Sequence, residues 1–378
     1  MSRPDTAWER FTSPEEAGWS SEGLRAAREH ADALGTAAVL VVSNGRIVAE
    51  WGDTERRIAC HSIRKRLSAL FGQAVAERLV DLAWTLDELG VDDSEPGLTA
   101  SERTGTVADL LRSRSGVYHP ASCQSNDGLL ARGSHEPGAF WLYNNWDFNV
   151  LGTIYEQCTG TSLFETFRTR IAVPLQMEDF VPTDVLYIGG GPNAMQPRLW
   201  FRLPFEELKR RGSGMLRRTY WHDAEGVSLR SPDAFPPDAS CFYIGTDVSV
   251  HPCYWFRMSA RDLARFGWLY LREGEWRGRQ VVPREWVRES TAAHSSAWSG
   301  AGFGYMWWAD GGNLFPGVRL PEGSFAALGT GGHVVLVLPS IETVVVHRME
   351  SETDRRTWAV GRDKLGPLLD VLLAARTG

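Results

Sequence analysis

The stretch ACHSIRKRLSALFG, residues 59 to 72, puts a serine, Ser62, three positions before a lysine, Lys65. Three lysines occur in the whole chain, Lys65, Lys209 and Lys364, against 40 Lys plus Arg, and of these Lys65 alone has a serine at the third position before it. Residues three apart on a helix share a face, so the Ser62 hydroxyl and the Lys65 amine can lie side by side. A serine hydroxyl is a poor nucleophile until a neighbour takes its proton. Lysine can take it only when uncharged, a state favoured by desolvation, by nearby positive potential and by the positive end of a helix. Arginine would stay protonated at any working pH. The position asks for a cation that can lose its proton, and the chemistry this suggests is nucleophilic attack by Ser62. The spacing by itself is a weak signal, because a short motif of this kind also arises by chance.

Other groups stand in a suitable order along the chain. WLYNNWDFNVLG, residues 141 to 152, holds Tyr143-Asn144-Asn145 just before an amphipathic run. A phenol held near ionisation by an adjacent cation can relay a proton, which suits Tyr143, and the Asn145 amide can orient Lys65 or a substrate amide. Both residues also suit the plainer role of capping a helix. Further on, FAALGTGGHVVLVLPS places Gly329, Gly331 and Gly332 at a turn, where glycine serves either a hairpin or the close approach of backbone to a ligand. His333 follows that turn and could reach a site there, although a hydrogen-bonded structural histidine fits as well. His61 adjoins Ser62 but points to a different helix face, and Cys60 reads as a buried structural thiol rather than a nucleophile.

These groups need elements to hold them. AAVLVVSNGRIVAEWG, residues 37 to 52, reads as two strands joined at Asn44-Gly45, a strong hairpin signal. After Ser62 the apolar residues Leu67, Leu70, Phe71, Val75 and Leu79 recur with a helical period. A short helix is expected from Thr106 to near Gly116, a longer one over 145 to 172 broken at TGTS, and another over 259 to 274 with Ser259 as N-cap and Gly274 at C′. FGYMWWAD, HVVLVLP and ETVVVHRM read as strands, and a last helix is expected near 362 to 375. Strands at both ends with helices between predict an antiparallel sheet built from the two termini and a mostly helical insertion, an α/β plus α architecture rather than a doubly wound parallel sheet.

At 378 residues, with 43% hydrophobic and 23% charged residues, the chain is long enough for two lobes. A net charge of −7 gives no electrostatic case for nucleic acid. The N-terminal MSRPDTAWERF lacks the apolar core of a secretory signal, and no run approaches 18 apolar residues, so the expectation is a cytoplasmic protein with no membrane partner. Five cysteines without metal spacing are expected to be reduced. No HExxH, P-loop, GxSxG or dinucleotide fingerprint occurs, and no cofactor or metal is expected.

Ser62 to Lys65, Tyr143 to Asn145 and Gly329 to Gly332 together resemble the three signature elements of the serine β-lactamase and penicillin-binding superfamily. TVADLLRSRSGVYH at 106 to 119, MSARDLARFGWLYLREGEWRGRQVVPREWV at 258 to 287 and GFGYMWW at 302 to 308 further resemble its class C β-lactamase-related branch, which holds esterases, 6-aminohexanoate-dimer hydrolase and acyltransferases of natural-product biosynthesis. The resemblance covers most of residues 37 to 350. It implies a β-lactamase/transpeptidase-like fold, with residues 1–60 and 255–378 as the sheet domain, 61–254 as the mostly helical domain with an insertion at about 181–250, and the active site between them. It implies that Ser62 forms an acyl-enzyme, that Lys65 and Tyr143 share acid and base duties, that Asn145 orients Lys65 and the substrate, and that the backbone N–H groups of Ser62 and Thr330 form the oxyanion hole. Gly329, Gly331, Gly332, His333, Trp307 and Trp308 become candidates for the substrate pocket.

Two departures bear on function. Where β-lactamases and transpeptidases have Lys-Thr-Gly, this chain has Ala327-Leu328-Gly329, without the side chains that grip a substrate carboxylate, so efficient β-lactam hydrolysis is not expected. Within 181–250, Arg198, Arg202, Arg210, Arg211, Arg217 and Arg218 suit a solvated face balanced by Glu206 and Glu207, or recognition of an anionic substrate or carrier, while Trp200, Tyr220 and Trp221 suit a pocket wall or lid. The expected activity is hydrolysis of a small-molecule ester or amide through Ser62. Transfer of the acyl group to an amine or alcohol is the alternative, and a binding module that has lost catalysis is the third.

Overall fold

The computed structural model describes residues 8–123, 130–180, 185–189, 240–245, 248–297, 300–309, 313–352, 357 and 359–377, with the backbone alone for 65–67 and 185–189. The arginines and aromatic residues named between 198 and 221 lie outside the described residues. The chain divides into two compact units. Met1–Ile63, Arg170–Val181 and Arg257–Gly378 form the first, and Arg64–Thr169 with Pro182–Phe256 form the second.

Strands β1 (Thr36–Ser43), β2 (Arg46–Gly52) and β3 (Ile58–Ala59) open the first unit, and β4 (Val185–Gly189) and β5 (Cys241–Gly245) belong to the second. The chain returns along β6 (Cys253–Met258) to a small hairpin, β7 (Glu275–Trp276) with β8 (Arg279–Gln280). It then forms β9 (Ser295–Ser296), β10 (Gly302–Phe303), β11 (Trp308–Ala309), β12 (Phe325–Gly329), β13 (His333–Leu338) and β14 (Thr343–Met349). The main sheet of the first unit has the order β2-β1-β14-β13-β12-β11-β10-β9, antiparallel throughout. β1 pairs with β14 across some 300 positions of sequence, Val42 opposite Val344 and Ser43 opposite Thr343, which is the sheet from two termini that the sequence pattern implies.

Every residue of β13 and β14 is buried, so these strands are covered on both faces and read as continuous apolar runs instead of alternating ones. The helix Ala260–Leu271 covers part of this sheet. A Cβ on its Gly267 would lie 2.7 Å from a methyl of Val344 and 3.0 Å from one of Val335, so glycine is what lets the helix seat there. At the other end of the chain, the helices Ser21–Leu34 and Arg362–Ala374 pack together, with Gly23 against Ala375.

Local chemistry explains most boundaries. Asn44 and Gly45 have φ of 51° and 76°, the two left-handed positions of a tight hairpin turn. The Ser259 hydroxyl accepts from the Asp262 N–H at 3.1 Å and caps its helix. At the other end two left-handed residues follow the Arg272 cap, Glu273 at φ 52° and Gly274 at φ 84°, so the C′ position is Glu273 and not Gly274. Gly274 comes one position later and donates its N–H to the Leu269 carbonyl. FGYMWWAD is not one strand. It bends at Gly304, where a Cβ would stand 2.3 Å from the Ser290 carbonyl oxygen, and at Met306, φ 63°, so Phe303 pairs back on Trp308.

In the second unit, Thr106 and Asp109 form a reciprocal capping box on the helix Val107–Leu111, which stops earlier than Gly116. The helix Asn145–Thr159 carries Trp146, Phe148, Leu151, Ile154 and Tyr155 into the core. Its Gly152 lies under the Tyr254 ring, 2.8 Å from where a Cβ would be. Gly160 ends it in the left-handed conformation, and Ser162 then caps Leu163–Phe167, so the expected break at TGTS is a cap pair. The helix after Ser62 runs from Leu67 to Ala76 behind a 3₁₀ segment, His61–Arg66. Leu79 falls beyond its end and is exposed, because Arg78 takes a left-handed conformation and turns the chain off the helical path. No helix among the described residues is long and apolar enough to cross a membrane.

Candidate active site

In the first unit the chain reaches Ser62 under tight control. β3 pairs with the end of β6, Ile58 opposite Met258 and Ala59 opposite Arg257. The Arg257 guanidinium holds the Glu352 carboxylate at 2.8 and 2.9 Å, and that carboxylate also accepts the Ala59 N–H at 3.1 Å. The buried Arg348 donates to the Ile58 and Ala59 carbonyls at 2.7 and 2.9 Å. Cys60 is fully buried with its Sγ 3.8 Å from the Ile58 oxygen, the setting of a structural thiol. His61 then adopts φ 45°, a conformation that costs a side-chain-bearing residue about 1 to 2 kcal/mol. Ser62 follows, half-buried, and the Ile63 N–H closes the turn on the Cys60 carbonyl at 2.9 Å.

The glycine turn comes to the same place. β12 ends at Gly329, opposite His333 at the start of β13, with Thr330 exposed between them and Gly331 and Gly332 at φ 81° and 79°. A Cβ on Gly329 would lie 2.9 Å from the Cys60 carbonyl oxygen, 3.0 Å from the His333 Cβ and 3.4 Å from the His61 Cβ. Gly329 is therefore a close-approach glycine as well as a hairpin glycine, and the chain it approaches is the one that delivers Ser62.

Three imidazoles lie behind this junction. His61 and His333 stack with ring centroids 5.1 Å apart, and the Nε2 atom of each is 2.8 Å from the Ser351 hydroxyl. His347 spans from the Gly332 carbonyl, 2.7 Å, to the Thr36 hydroxyl, 2.9 Å. Burial, reinforced by the charge of Arg348, pushes His61 down to about 3 and His347 down to about 4, and drives His333 well below the ordinary histidine range. All three are neutral at any ordinary working pH. His333 is thus the structural histidine that the sequence allowed. Trp307 packs between Phe266, Tyr270 and Phe325, and Trp308 against Phe303 with the Arg362 guanidinium over its ring, so core packing accounts for both without a ligand.

In the second unit Tyr143 is half-buried just before the helix Asn145–Thr159, with its ring edge-on to Phe148 at 5.2 Å. The capping role belongs to Asn144, whose Oδ1 accepts from the Trp146 N–H. Asn145 is left to face inward. Its Oδ1 accepts from Arg64 at 3.3 Å and its Nδ2 donates to the Cys123 carbonyl at 2.9 Å. Arg64 also donates to Asn149 at 2.9 Å and lies over the Tyr254 ring at 4.8 Å. Lys65 follows Arg64 in the 3₁₀ segment, where three residues make one turn.

Sequence reasoning missed Arg64, Asn149 and Ser351. The helical spacing of Asn145 and Asn149 was a usable signal for a shared inward face, whereas nothing near Ser351 in the sequence marks it. Among the described residues no group of His, Cys, Asp and Glu side chains could hold a metal ion.

Residues 24–183 match the family model described as Beta-lactamase. A stretch of 103 residues is 31% identical to an uncharacterized protein of Alkalihalophilus pseudofirmus, spanning 25% of this chain and 30% of that relative. Among solved structures, EstCE1, described as a hydrolase with promiscuous acyltransferase activity, superposes with a TM-score of 0.60 at 17% identity over 97% of this chain and 99% of its own. A protein of Bacillus anthracis provisionally assigned as a 6-aminohexanoate-dimer hydrolase gives 0.56 at 18% over 92% and 80%. A class C β-lactamase mutant gives 0.58 at 12% over 94% and 98%. At such identities the likeness to solved structures speaks for the fold, and the family match adds the sequence. Over residues 24–183 the chain is thus similar to the Beta-lactamase family, and its fold is the one that β-lactamase and penicillin-binding structures share.

Proposed function

We propose that the protein is a serine-dependent acyl-enzyme hydrolase acting on a small-molecule ester or amide. In this reading the Ser62 Oγ attacks the substrate carbonyl carbon while its proton passes to Lys65 or Tyr143. The leaving alcohol or amine departs with that proton, and water attacks the acyl-serine to regenerate Ser62 and release the acid. The backbone N–H groups of Ser62 and Thr330 stabilise the oxyanion, and Asn145 orients the polar groups around Lys65. The observation that carries the reading is the seating of Gly329 on Cys60 and His61, which sets the strand end before Thr330 beside the residue before Ser62. The family match and the hydrolase fold of EstCE1 support it.

Ala327-Leu328-Gly329 leaves no cation or hydroxyl side chain to pair with a substrate carboxylate at this strand, which argues against an efficient β-lactamase. A second reading is transfer of the acyl group to an amine or alcohol in place of water, favoured by the acyltransferase activity described for EstCE1. Intact-mass measurement after incubation with a fluorophosphonate and with a panel of esters, amides and lactams tests the proposal. A covalent mass gain that disappears in Ser62→Ala is expected. No gain with any probe, or an undiminished gain in Ser62→Ala, overturns it. Product analysis with and without added amine separates hydrolysis from transfer, and nitrocefin turnover at the rate of a resistance enzyme would refute the argument from Ala327.

A further inference from the structure

The Ser351 hydroxyl occupies an unusual position. It is buried, two residues past the end of β14, and stands 2.8 Å from the Nε2 atoms of both His61 and His333. A hydroxyl has one proton and two lone pairs, so at least one of the two rings donates to it. The Nδ1 of His333 makes no hydrogen bond among the described residues. Orphaned buried N–H groups are rarer than orphaned acceptors, which puts the His333 proton on Nε2. His333 then donates to Ser351, and the same hydroxyl holds His61.

The two imidazoles lead to different backbone segments. His61 immediately precedes Ser62 and is held at φ 45°. His333 faces Gly329 across the end of the β12–β13 hairpin, one position from Thr330. Both segments meet where Gly329 touches Cys60. We propose that Ser351 is a positioning residue for acyl transfer: its hydroxyl, acting through His61 and His333, fixes against each other the two backbone segments that present the Ser62 and Thr330 N–H groups to the oxyanion. This rests on the acyl-enzyme reading above. It gives the left-handed His61 a purpose, since a strained residue persists only where its surroundings over-determine it.

Oxyanion donors act over a narrow range of distance, so a clamp on their spacing affects the bond-forming step more than ground-state binding. The test is the rate at which a fluorophosphonate acylation mimic labels Ser62, resolved into the maximal rate and the probe concentration at half-maximal rate, for wild type, Ser351→Ala and Ser351→Thr, with the thermal midpoint measured alongside. Ser351→Ala is expected to lower the maximal rate about 10- to 100-fold, short of the loss of a whole donor, with little change in half-saturation. Ser351→Thr, which keeps the hydroxyl, is expected to restore most of the rate. An unchanged maximal rate in Ser351→Ala, or a loss that Thr does not restore, overturns the inference and leaves the acyl-enzyme reading standing. Absence of Ser62 labelling in the wild type overturns that reading and the inference with it. Should Ser351→Ala not fold, His333→Phe keeps the ring stack and removes one arm of the bridge. An unchanged maximal rate there overturns the inference equally.

Discussion

Gly329→Ala is a one-methyl probe of the junction between the glycine strand and the Ser62 segment. The new Cβ would lie 2.9 Å from the Cys60 carbonyl oxygen and 3.0 Å from the His333 Cβ. Ordinary carbon–oxygen contacts are about 3.3 to 3.6 Å, so the end of β12 and the Cys60 carbonyl must part by about 0.4 to 0.7 Å. Neither neighbour is the free end of a flexible side chain. One is backbone anchored by the β3 pairing, and the other is the root of a fully buried histidine. Overpacking of this kind costs about 1 to 3 kcal/mol of stability. An oxyanion donor near 2.9 Å that moves away by half an ångström leaves the range of about 2.7 to 3.1 Å in which such donors act, and full loss of one costs about 10²- to 10³-fold. We expect Gly329→Ala to retain a cooperative unfolding transition and to lose at least about tenfold in the maximal rate of Ser62 labelling by a fluorophosphonate, within that full-loss bound. Urea titration gives the first quantity and time-resolved intact-mass measurement the second. Labelling at the wild-type rate would refute the placement of Thr330 in the oxyanion hole.

The other expectations concern stability. His347 has a folded-state pKa of about 4, below its unfolded value, so its contribution is present above about pH 6.5 and is lost as pH falls toward 4. The stability advantage of wild type over His347→Gln should therefore shrink by about 2 to 3 kcal/mol between pH 7 and pH 4.5, and a constant difference in urea unfolding would contradict the neutral buried imidazole. Glu156 has the opposite sign. Burial raises its carboxyl to about 7 while it accepts from the Tyr243 hydroxyl and the Leu163 N–H, so its contribution is full below about pH 4.5 and is lost as pH rises through 7. Glu156→Gln should gain up to about 3 kcal/mol on wild type between pH 4.5 and pH 8, and a gap that does not widen would show the carboxylate to be stabilised as an anion. Arg64→Lys keeps the charge but cannot span Asn145, Asn149 and the Tyr254 ring together, and should destabilise by about 1.5 to 3 kcal/mol for each charged hydrogen bond lost. A thermal midpoint equal to wild type would remove Arg64 from the scaffold.

The elements most legible in the sequence were those with strong local chemistry. Asn44-Gly45 marked a hairpin, Ser259 and Thr106 announced helix starts, and the apolar runs of β13 and β14 read as strands. What the sequence hid depends on contacts distant along the chain. The bend inside FGYMWWAD follows from the Ser290 carbonyl crowding Gly304. The helix after Ser62 ended early because Arg78, an ordinary residue, took a left-handed conformation without a glycine to signal it, and at Glu273 the turn began one residue before its glycine. Of the proposed site, Ser62, Lys65 and Tyr143 are candidates that spacing and order put forward. The bridge from Ser351 to His61 and His333 could not be read from them, because a serine after a strand is commonplace until 290 residues of chain bring it under His61.

The pairing of β1 with β14 has a consequence for biosynthesis. At about 5 to 20 residues per second, a ribosome that has released Thr36–Ser43 needs roughly 15 to 60 s more to deliver the partner strand. Throughout that interval the first hairpin presents an unmatched row of amide groups and apolar side chains to the crowded interior of the cell. Growth at lower temperature or with extra chaperone should therefore raise the soluble yield of the recombinant protein more than any surface substitution.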